Sequence, residues 1–205
     1  MHNRQLKIKV CGMREANNIQ ELSALPIDYI GFIFFDKSSR YVTEPPMVDI
    51  TSSIQRVGVF VNAAVTYIKE KADSFKLDII QLHGDESVEF CQEIKQLGYT
   101  VFKAFGIDDS FEWTLLAAYE NVVDYFLFDT KSNQYGGTGQ AFNWEVLKKY
   151  PYKKPYILSG GISLENIEEA LTFHDDRLYG LDLNSKFEIE PGLKNIQTLK
   201  KALAY

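Results

Sequence analysis

The chain has 205 residues, 45% of them hydrophobic and 24% charged, with a formal net charge of -6 at pH 7. That composition is typical of a soluble globular protein, and the acidic balance disfavours broad electrostatic binding to nucleic acid or to an anionic membrane surface. We therefore expect neither as a partner.

Short apolar, β-branched or aromatic runs recur along the chain, and each is followed by a segment with helical spacing. Eight such units without a linker predict a single-domain α/β fold over residues 1–205, a (β/α)8 barrel. The alternative is a doubly wound sheet, but that fold carries its glycine-rich turn after the first strand, whereas glycines cluster here after the sixth and seventh. The predicted strands are Leu6 to Cys11, Asp28 to Phe35, Arg56 to Val61, Leu77 to Leu82, Tyr99 to Phe105, Val123 to Asp129, Pro155 to Ser159 and Tyr179 to Asn184.

Helices are predicted between these strands. The clearest has an apolar stripe that includes Cys91 and ends at Gly98, so we interpret Cys91 as a packing residue. Pro45 and Pro46 suit the start of a second helix. The remaining signals are Asn143 and Ser163 as N-caps of the sixth and seventh helices, and a last helix from Lys194 to Leu203.

Metal and targeting signals are missing from the sequence. Cys11 and Cys91 are too few for a disulfide framework, and the histidines show no zinc spacing, so we predict no metal site. The stretch from Met1 to Leu6 is polar, and no segment approaches the roughly 20 apolar residues of a membrane span. A cytoplasmic location without membrane contact is the prediction.

A thiol ends the first predicted strand, because Cys11 stands directly before Gly12. In a (β/α)8 barrel the chemistry lies at the carboxyl ends of the strands, where this side chain would face the pocket. A free cysteine is also among the residues most often buried for packing. The residue alone leaves both interpretations open.

Other strand ends carry polar residues. Asp129 precedes a polar, glycine-rich loop through Gly139 that is long enough to close over a ligand, and it is a candidate general acid or base, or else a turn residue. Arg40 offers a planar fork for a carboxylate, although many arginines are only surface charges. His83 fits a substrate contact and a structural hydrogen bond equally well.

The loops after strands seven and eight suggest a phosphate site. Gly160 and Gly161 end strand seven and open a helix, so backbone amides could converge on an anion, although a Gly-Gly pair is often only a tight turn. Asn184 and Ser185 add amides and a hydroxyl from the eighth strand end, and these two loops are the usual phosphate cradle of such barrels.

Together these segments resemble the phosphoribosylanthranilate isomerase family of tryptophan biosynthesis. The matching stretches cover all the strands except the fifth strongly, in the family's order: KVCGM, GFIFFDKSSRYV, RVGVFVN, IIQLHGDES, LFDTKSNQYGGTGQAFNW, LSGGIS and LDLNSKFEIEPGLK. The resemblance implies a cofactor-free Amadori rearrangement of a small phosphorylated substrate, from an aminoaldose to an aminoketose.

The resemblance also implies roles for individual residues. Cys11 matches the general base, Asp129 the general acid and Arg40 the residue that binds the anthranilate carboxylate. Asp182 aligns with an acidic strand-eight position, and His83 lines the site in a role that stays open. The phosphate-binding positions are Gly160, Gly161, Asn184 and Ser185.

One departure and two alternatives accompany this assignment. The family often has Ser-Ser-Gly after strand eight, where this chain has Asn184-Ser185-Lys186, and we expect Lys186 to turn to solvent. The related barrel isomerase of histidine biosynthesis would place an Asp at the end of strand one and a second phosphate cradle in the first half. A noncatalytic barrel that binds a sugar phosphate would bind without turnover. Because no exposed apolar stripe stands out, we expect a monomer.

Overall fold

The structure is a computed structural model that describes residues 6–131 and 143–204. Eight parallel strands close into a barrel in chain order, which confirms the predicted fold class. The strands are β1 Lys7–Val10, β2 Tyr29–Ile33, β3 Gln55–Phe60, β4 Ile79–Leu82, β5 Thr100–Ile107, β6 Tyr125–Thr130, β7 Tyr156–Leu158 and β8 Leu178–Leu183.

Strand β1 closes the barrel because it pairs on both sides. Lys9 is in register with Tyr29 of β2 and with Asp182 of β8. A doubly wound sheet has two open edges, so this closure contradicts that alternative. The barrel interior holds a small apolar cluster drawn from alternate strand positions: Tyr29, Val57, Ile79, Phe102, Ala104, Leu127 and Ile157. A larger apolar cluster lies between the strands and the surrounding helices.

The connections between strands are short. The α-helices are α1 Ala16–Leu22, α2 Val65–Phe75, α3 Val88–Gln96, α4 Ile167–Thr172 and α5 Ile196–Ala202. Three of the described segments form 3-10 helices: Trp113–Tyr119, Trp144–Lys149 and Ser185–Phe187. A hairpin of β9 Glu188–Glu190 and β10 Leu193–Lys194 follows β8. No helix in these two described ranges combines the length and apolarity of a bilayer span.

The predicted stripe forms α3. The helix begins after Ser87, whose Oγ accepts the N–H of Phe90 at 3.2 Å, and Gly98 follows its end with a φ of +95°. Cys91 is fully buried on the inner face, as the sequence predicted.

The predicted second helix is wrong. Residues 43–53 form bends and turns, with the N–H of Val48 donating to the carbonyl of Pro46. Two consecutive prolines hold the first in an extended conformation, and the β-branched residues that follow favour helix weakly.

Other helix starts differ from the predictions in detail. Asn143 does cap the sixth segment, but that segment is a 3-10 helix. Helix α4 begins at Ile167, after a turn in which Asn166 accepts the N–H of Ser163. Lys194 lies in β10, where it pairs with Glu188, and its backbone N–H donates to Asn18, so α5 starts only at Ile196. The loop through Gly136 and Gly139, predicted to close over a ligand, lies outside the described residues.

Candidate active site

A pocket opens at the carboxyl ends of the barrel strands. It encloses about 760 Å³ of space between its lining atoms, part of which is open solvent. All the site residues predicted from the sequence line it: Cys11, Arg40, His83, Asp129, Gly160, Gly161, Asp182, Asn184 and Ser185. The barrel therefore brings residues from six strand ends to one place, while His174 is exposed elsewhere.

Cys11 follows β1 and faces this pocket. Its backbone N–H donates to the carbonyl of Leu183 at 3.0 Å, so the β8 neighbour fixes the strand end. The side chain is 3% exposed. A Cβ at Gly31 would lie 2.7 Å from Cys11 Sγ, so the glycine of β2 leaves the space that the sulfur occupies.

Two buried lysines and the carboxylate of Asp182 determine the charge around Cys11. Burial raises the pKa of the Cys11 thiol, and the positive charges of Lys9 and Lys194 oppose that rise. Lys9 is held by Asp182, with Nζ 2.9 and 3.0 Å from the two carboxylate oxygens. Burial alone would lower the pKa of Lys9, but the charges of Asp182 and Cys11 outweigh it and raise that pKa. Lys9 therefore stays cationic beside the thiol.

Asp129 ends β6 on the other side of the pocket. Its Oδ1 accepts the N–H of Thr130 at 2.8 Å, and its Oδ2 lies 3.4 Å from His83 Nε2. The Gln81 amide nitrogen lies 2.9 Å from His83 Nδ1 and orients the ring, while Gln81 Oε1 is buried without a hydrogen-bond partner among the residues described. His83 thus contacts the carboxyl group directly.

Backbone amides gather at the end of β7. No hydrogen bond between described residues uses the N–H of Gly160, Gly161 or Ile162, which leaves these donors available to an anion. Gly160 has a φ of +87°, and a Cβ there would lie 2.6 Å from Asp129 Oδ1. The donors belong to the turn itself, since α4 starts only at Ile167. Lys186 is exposed, as expected.

Arg40 lies in the β2–β3 connection, beside apolar side chains. Ile33 and Val59 line the same pocket and offer a surface for a flat ring. The Arg40 guanidinium pairs with Glu188 of β9, with Nη2 2.6 Å from Oε2, and Glu188 also accepts from Lys194 Nζ at 2.6 Å. This cluster of Arg40, Glu188 and Lys194 is largely buried.

Sequence reasoning missed four residues of this site: Lys9, Gln81, Glu188 and Lys194. One signal was available for Lys9, because residues two apart on a strand share a face, and Cys11 stands two positions further on. The same rule links Gln81 to His83. Glu188 and Lys194 carry no local sequence signal. Glu188 binds Arg40, which is 148 positions away along the chain, and Lys194 reaches Glu188 only because the β9–β10 hairpin folds back.

The fold and the pocket together define a barrel protein with a polar small-molecule site at the carboxyl ends of its strands, the arrangement of (β/α)8 enzymes. Residues 8–204 match the family model described as N-(5'phosphoribosyl)anthranilate (PRA) isomerase. The chain belongs to this isomerase family.

Individual proteins similar to this chain carry the name of the same family. The N-(5'-phosphoribosyl)anthranilate isomerase of Parabacteroides distasonis is 50% identical over 198 residues, covering 94% of this chain and 90% of the relative. A crystal structure of phosphoribosyl anthranilate isomerase from Thermus thermophilus superposes with a TM-score of 0.85 at 27% identity, covering 97% of both chains. A second, with a TM-score of 0.83 at 28% identity and the same coverage, is a complex with reduced 1-(o-carboxyphenylamino)-1-deoxyribulose 5-phosphate.

Proposed function

We propose that this chain converts N-(5-phosphoribosyl)anthranilate to 1-(2-carboxyphenylamino)-1-deoxyribulose 5-phosphate, with Asp129 as general acid and Cys11 as general base. The observation that carries the proposal is that a carboxyl group and a thiol line one pocket together with a partly buried arginine and with backbone amides that no other described residue uses. The amides suit a phosphate, and the arginine suits a carboxylate. Family membership supports the same reaction.

The first step needs an acid at the sugar ring. Asp129 gives its proton to the ring oxygen, the bond from that oxygen to C1 breaks, and a Schiff base with the aromatic nitrogen forms. His83 Nε2 lies 3.4 Å from Asp129 Oδ2, and we propose that the imidazole orients the carboxyl group toward the sugar.

The second step needs a base at C2. Cys11 as thiolate removes the proton on C2, and the electron pair moves into the C1–C2 bond and neutralises the iminium nitrogen. The resulting enolamine tautomerises to the C2 ketone. Hydrogen moves within the molecule and through these two groups, so there is no net oxidation and the step calls for no cofactor.

The phosphate and the aromatic ring hold the sugar between these groups. Gly160 and Gly161 would donate backbone N–H groups to the phosphate, and Asn184 and Ser185 line the pocket beside them. Arg40 would bind the anthranilate carboxylate at the opposite side. Anchoring both ends of the substrate aligns C2 with Cys11 and the ring oxygen with Asp129. This alignment lowers the activation barrier, because the reacting groups no longer have to find each other.

The ionisation of Cys11 predicts a pH dependence. Because burial raises the pKa of the thiol, the thiolate is the minor form at neutral pH and grows tenfold with each pH unit. Asp129 must keep its proton while Cys11 loses one, so any loss of the acid form works against the gain in thiolate. We expect kcat/KM to stay level or to rise by up to about tenfold per pH unit between about pH 6 and 8. Steady-state kinetics across this range is the measurement, and a kcat/KM that falls as the pH rises would contradict the proposed base.

The activity itself is tested by fluorescence. Phosphoribosylanthranilate, generated in place from anthranilate, is given to the purified protein, and we expect its fluorescence to decay as the product forms. A noncatalytic sugar-phosphate barrel would bind the substrate without this decay. The histidine-pathway aminoaldose would be turned over instead if the chain were that related isomerase, but an Asp is missing from the end of β1, where Cys11 stands.

We also propose that the protein is a monomer. The large apolar side chains exposed among the described residues, Met47, Leu97, Leu115 and Ile189, lie in four separate segments of the chain, so no single element presents a row of them. Size-exclusion chromatography with light scattering should give a mass near the 23.5 kDa of one chain. A mass near twice that value would contradict this prediction.

A cytoplasmic location stays a proposal. Cys11 and Cys91 are both free and buried, which suits a reducing compartment.

A further inference from the structure

The carboxylate of Glu188, in strand β9, holds one edge of the Arg40 guanidinium. The Arg40 Nε lies 2.9 and 3.0 Å from the two oxygens of Glu188, and its Nη2 lies 2.6 Å from Oε2. The Glu188 side chain is only 4% exposed. Although burial acts to raise it, the hydrogen bonds from Arg40 and Lys194 hold the pKa of Glu188 below its usual value. Glu188 is therefore an anion with a fixed geometry.

This pairing uses one edge of the guanidinium, and the other edge has no partner among the residues that the structure describes. An arginine carries five N–H donors in one plane, on a side edge of Nε and Nη2 and an end edge of Nη1 and Nη2. Glu188 occupies the side edge. No hydrogen bond between described residues uses Arg40 Nη1. The end edge can therefore donate two hydrogen bonds to a second carboxylate, in the bidentate arrangement that arginine favours.

A second cation prevents Glu188 from cancelling the charge of Arg40. Lys194 is fully buried, and its Nζ donates to Glu188 Oε1 at 2.6 Å and to Asn184 Oδ1 at 2.7 Å. Burial lowers the pKa of Lys194 to about 8, so below that pH the two cations and one anion leave the cluster with a net charge of about +1. A substrate carboxylate would bring that charge to zero, so binding neutralises the cluster.

The stem of Arg40 is also fixed. Gly12 has a φ of +79°, and a Cβ there would lie 2.6 Å from Arg40 Cδ. A side chain at this position would push the arginine stem away from the site. The glycine beside Cys11 thus allows the guanidinium to reach both Glu188 and the pocket.

We infer that Glu188 is a positioning residue that determines specificity for a carboxylate on the aromatic ring of the substrate. It holds Arg40 with the end edge toward the pocket, and Lys194 keeps the cluster cationic. The inference rests on the proposed function, in which Arg40 binds that carboxylate.

Binding of two product analogues tests it. One is reduced 1-(2-carboxyphenylamino)-1-deoxyribulose 5-phosphate, and the other is the same molecule without the ring carboxylate. Calorimetry should show that the natural protein binds the first about ten- to a hundredfold more tightly, the usual size of a charge-assisted hydrogen bond. Glu188→Gln raises the net charge of the cluster by one, which by itself would favour the carboxylate, so a smaller difference reports lost positioning of Arg40. We expect the difference in affinity between the two analogues to fall below about threefold, while the carboxylate-free analogue binds within about twofold of its natural affinity.

Matched variants separate positioning from general damage. Glu190→Gln removes an exposed carboxylate from the same strand and should keep the full difference. Glu188→Asp keeps the charge but withdraws it by one methylene, so it should narrow the difference as well. A merely structural role would weaken both analogues equally, and that result would overturn the inference.

The outcomes also distinguish the inference from the proposed function. If the natural protein shows no difference between the analogues, or if Arg40→Ala keeps it, the assigned role of Arg40 is wrong and the inference falls with it. If the natural protein shows the difference and folded Glu188→Gln and Glu188→Asp both retain it, only the role of Glu188 is wrong.

Discussion

Replacing Cys11 with alanine is expected to lower kcat by about a hundredfold to ten-thousandfold, the usual contribution of a positioned acid or base. The variant removes the proposed acceptor of the C2 proton and leaves the phosphate and carboxylate contacts in place, so KM should change little. Removal of the C2 proton should then limit the rate. Steady-state kinetics with substrate deuterated at C2 measures both effects, because the variant should show a larger primary isotope effect than the natural protein.

Cys91→Ala is the matched control for this variant. Cys91 is as deeply buried as Cys11, but it packs on α3 away from the pocket. Its loss should lower stability slightly through the small cavity it leaves and should keep kcat near the natural value. Near-normal turnover by a folded Cys11→Ala protein would mean that another group removes the proton.

Replacing Asp129 with asparagine is expected to cause a loss of similar size, about a hundredfold to ten-thousandfold in kcat. Asparagine has nearly the same shape and can still accept the N–H of Thr130, but it has no proton to give to the ring oxygen. Ring opening should therefore become the slow step. With C2-deuterated substrate, this variant should show almost no primary isotope effect, the opposite of Cys11→Ala.

Asp108→Asn is the control for the Asp129 variant. Asp108 follows the neighbouring strand β5 and pairs with Lys131 at 2.7 Å, without lining the pocket. It should leave kcat unchanged. The acid role of Asp129 is refuted if Asp129→Asn keeps normal turnover, or if its isotope effect matches that of Cys11→Ala.

Much of the site was predictable because barrel topology converts local signals into a common location. Cys11, Asp129 and Gly160 each end a strand, and parallel strands in a closed barrel present all their carboxyl ends at one mouth. The alternation of strands and helices predicts the barrel, and the barrel in turn predicts that these strand-end residues share one pocket. Each of these residues indeed lines the pocket.

The two helix predictions that differ from the structure have local causes. The segment at Pro45 and Pro46 carries a helix-start signal, yet the β-branched residues after it favour helix too weakly to extend it. Helix α4 starts late because the side chain of Asn166 binds back to Ser163 and Gly161 and stabilises a turn instead. In both segments, local side-chain properties outweighed the sequence signal for the start of a helix.

By itself, the sequence determined the class of fold, the order of the strands and which polar residues end them, because periodicity and turn chemistry act over a few residues. The tertiary structure alone decided how those residues are charged and held. Lys9 meets Asp182 only when β1 pairs with β8, and Arg40 meets Glu188 only when the barrel closes. Such contacts join residues about 150 positions apart or more, so no local pattern encodes them. Burial in the closed barrel then raises the pKa of Cys11, which is likewise a property of the tertiary structure.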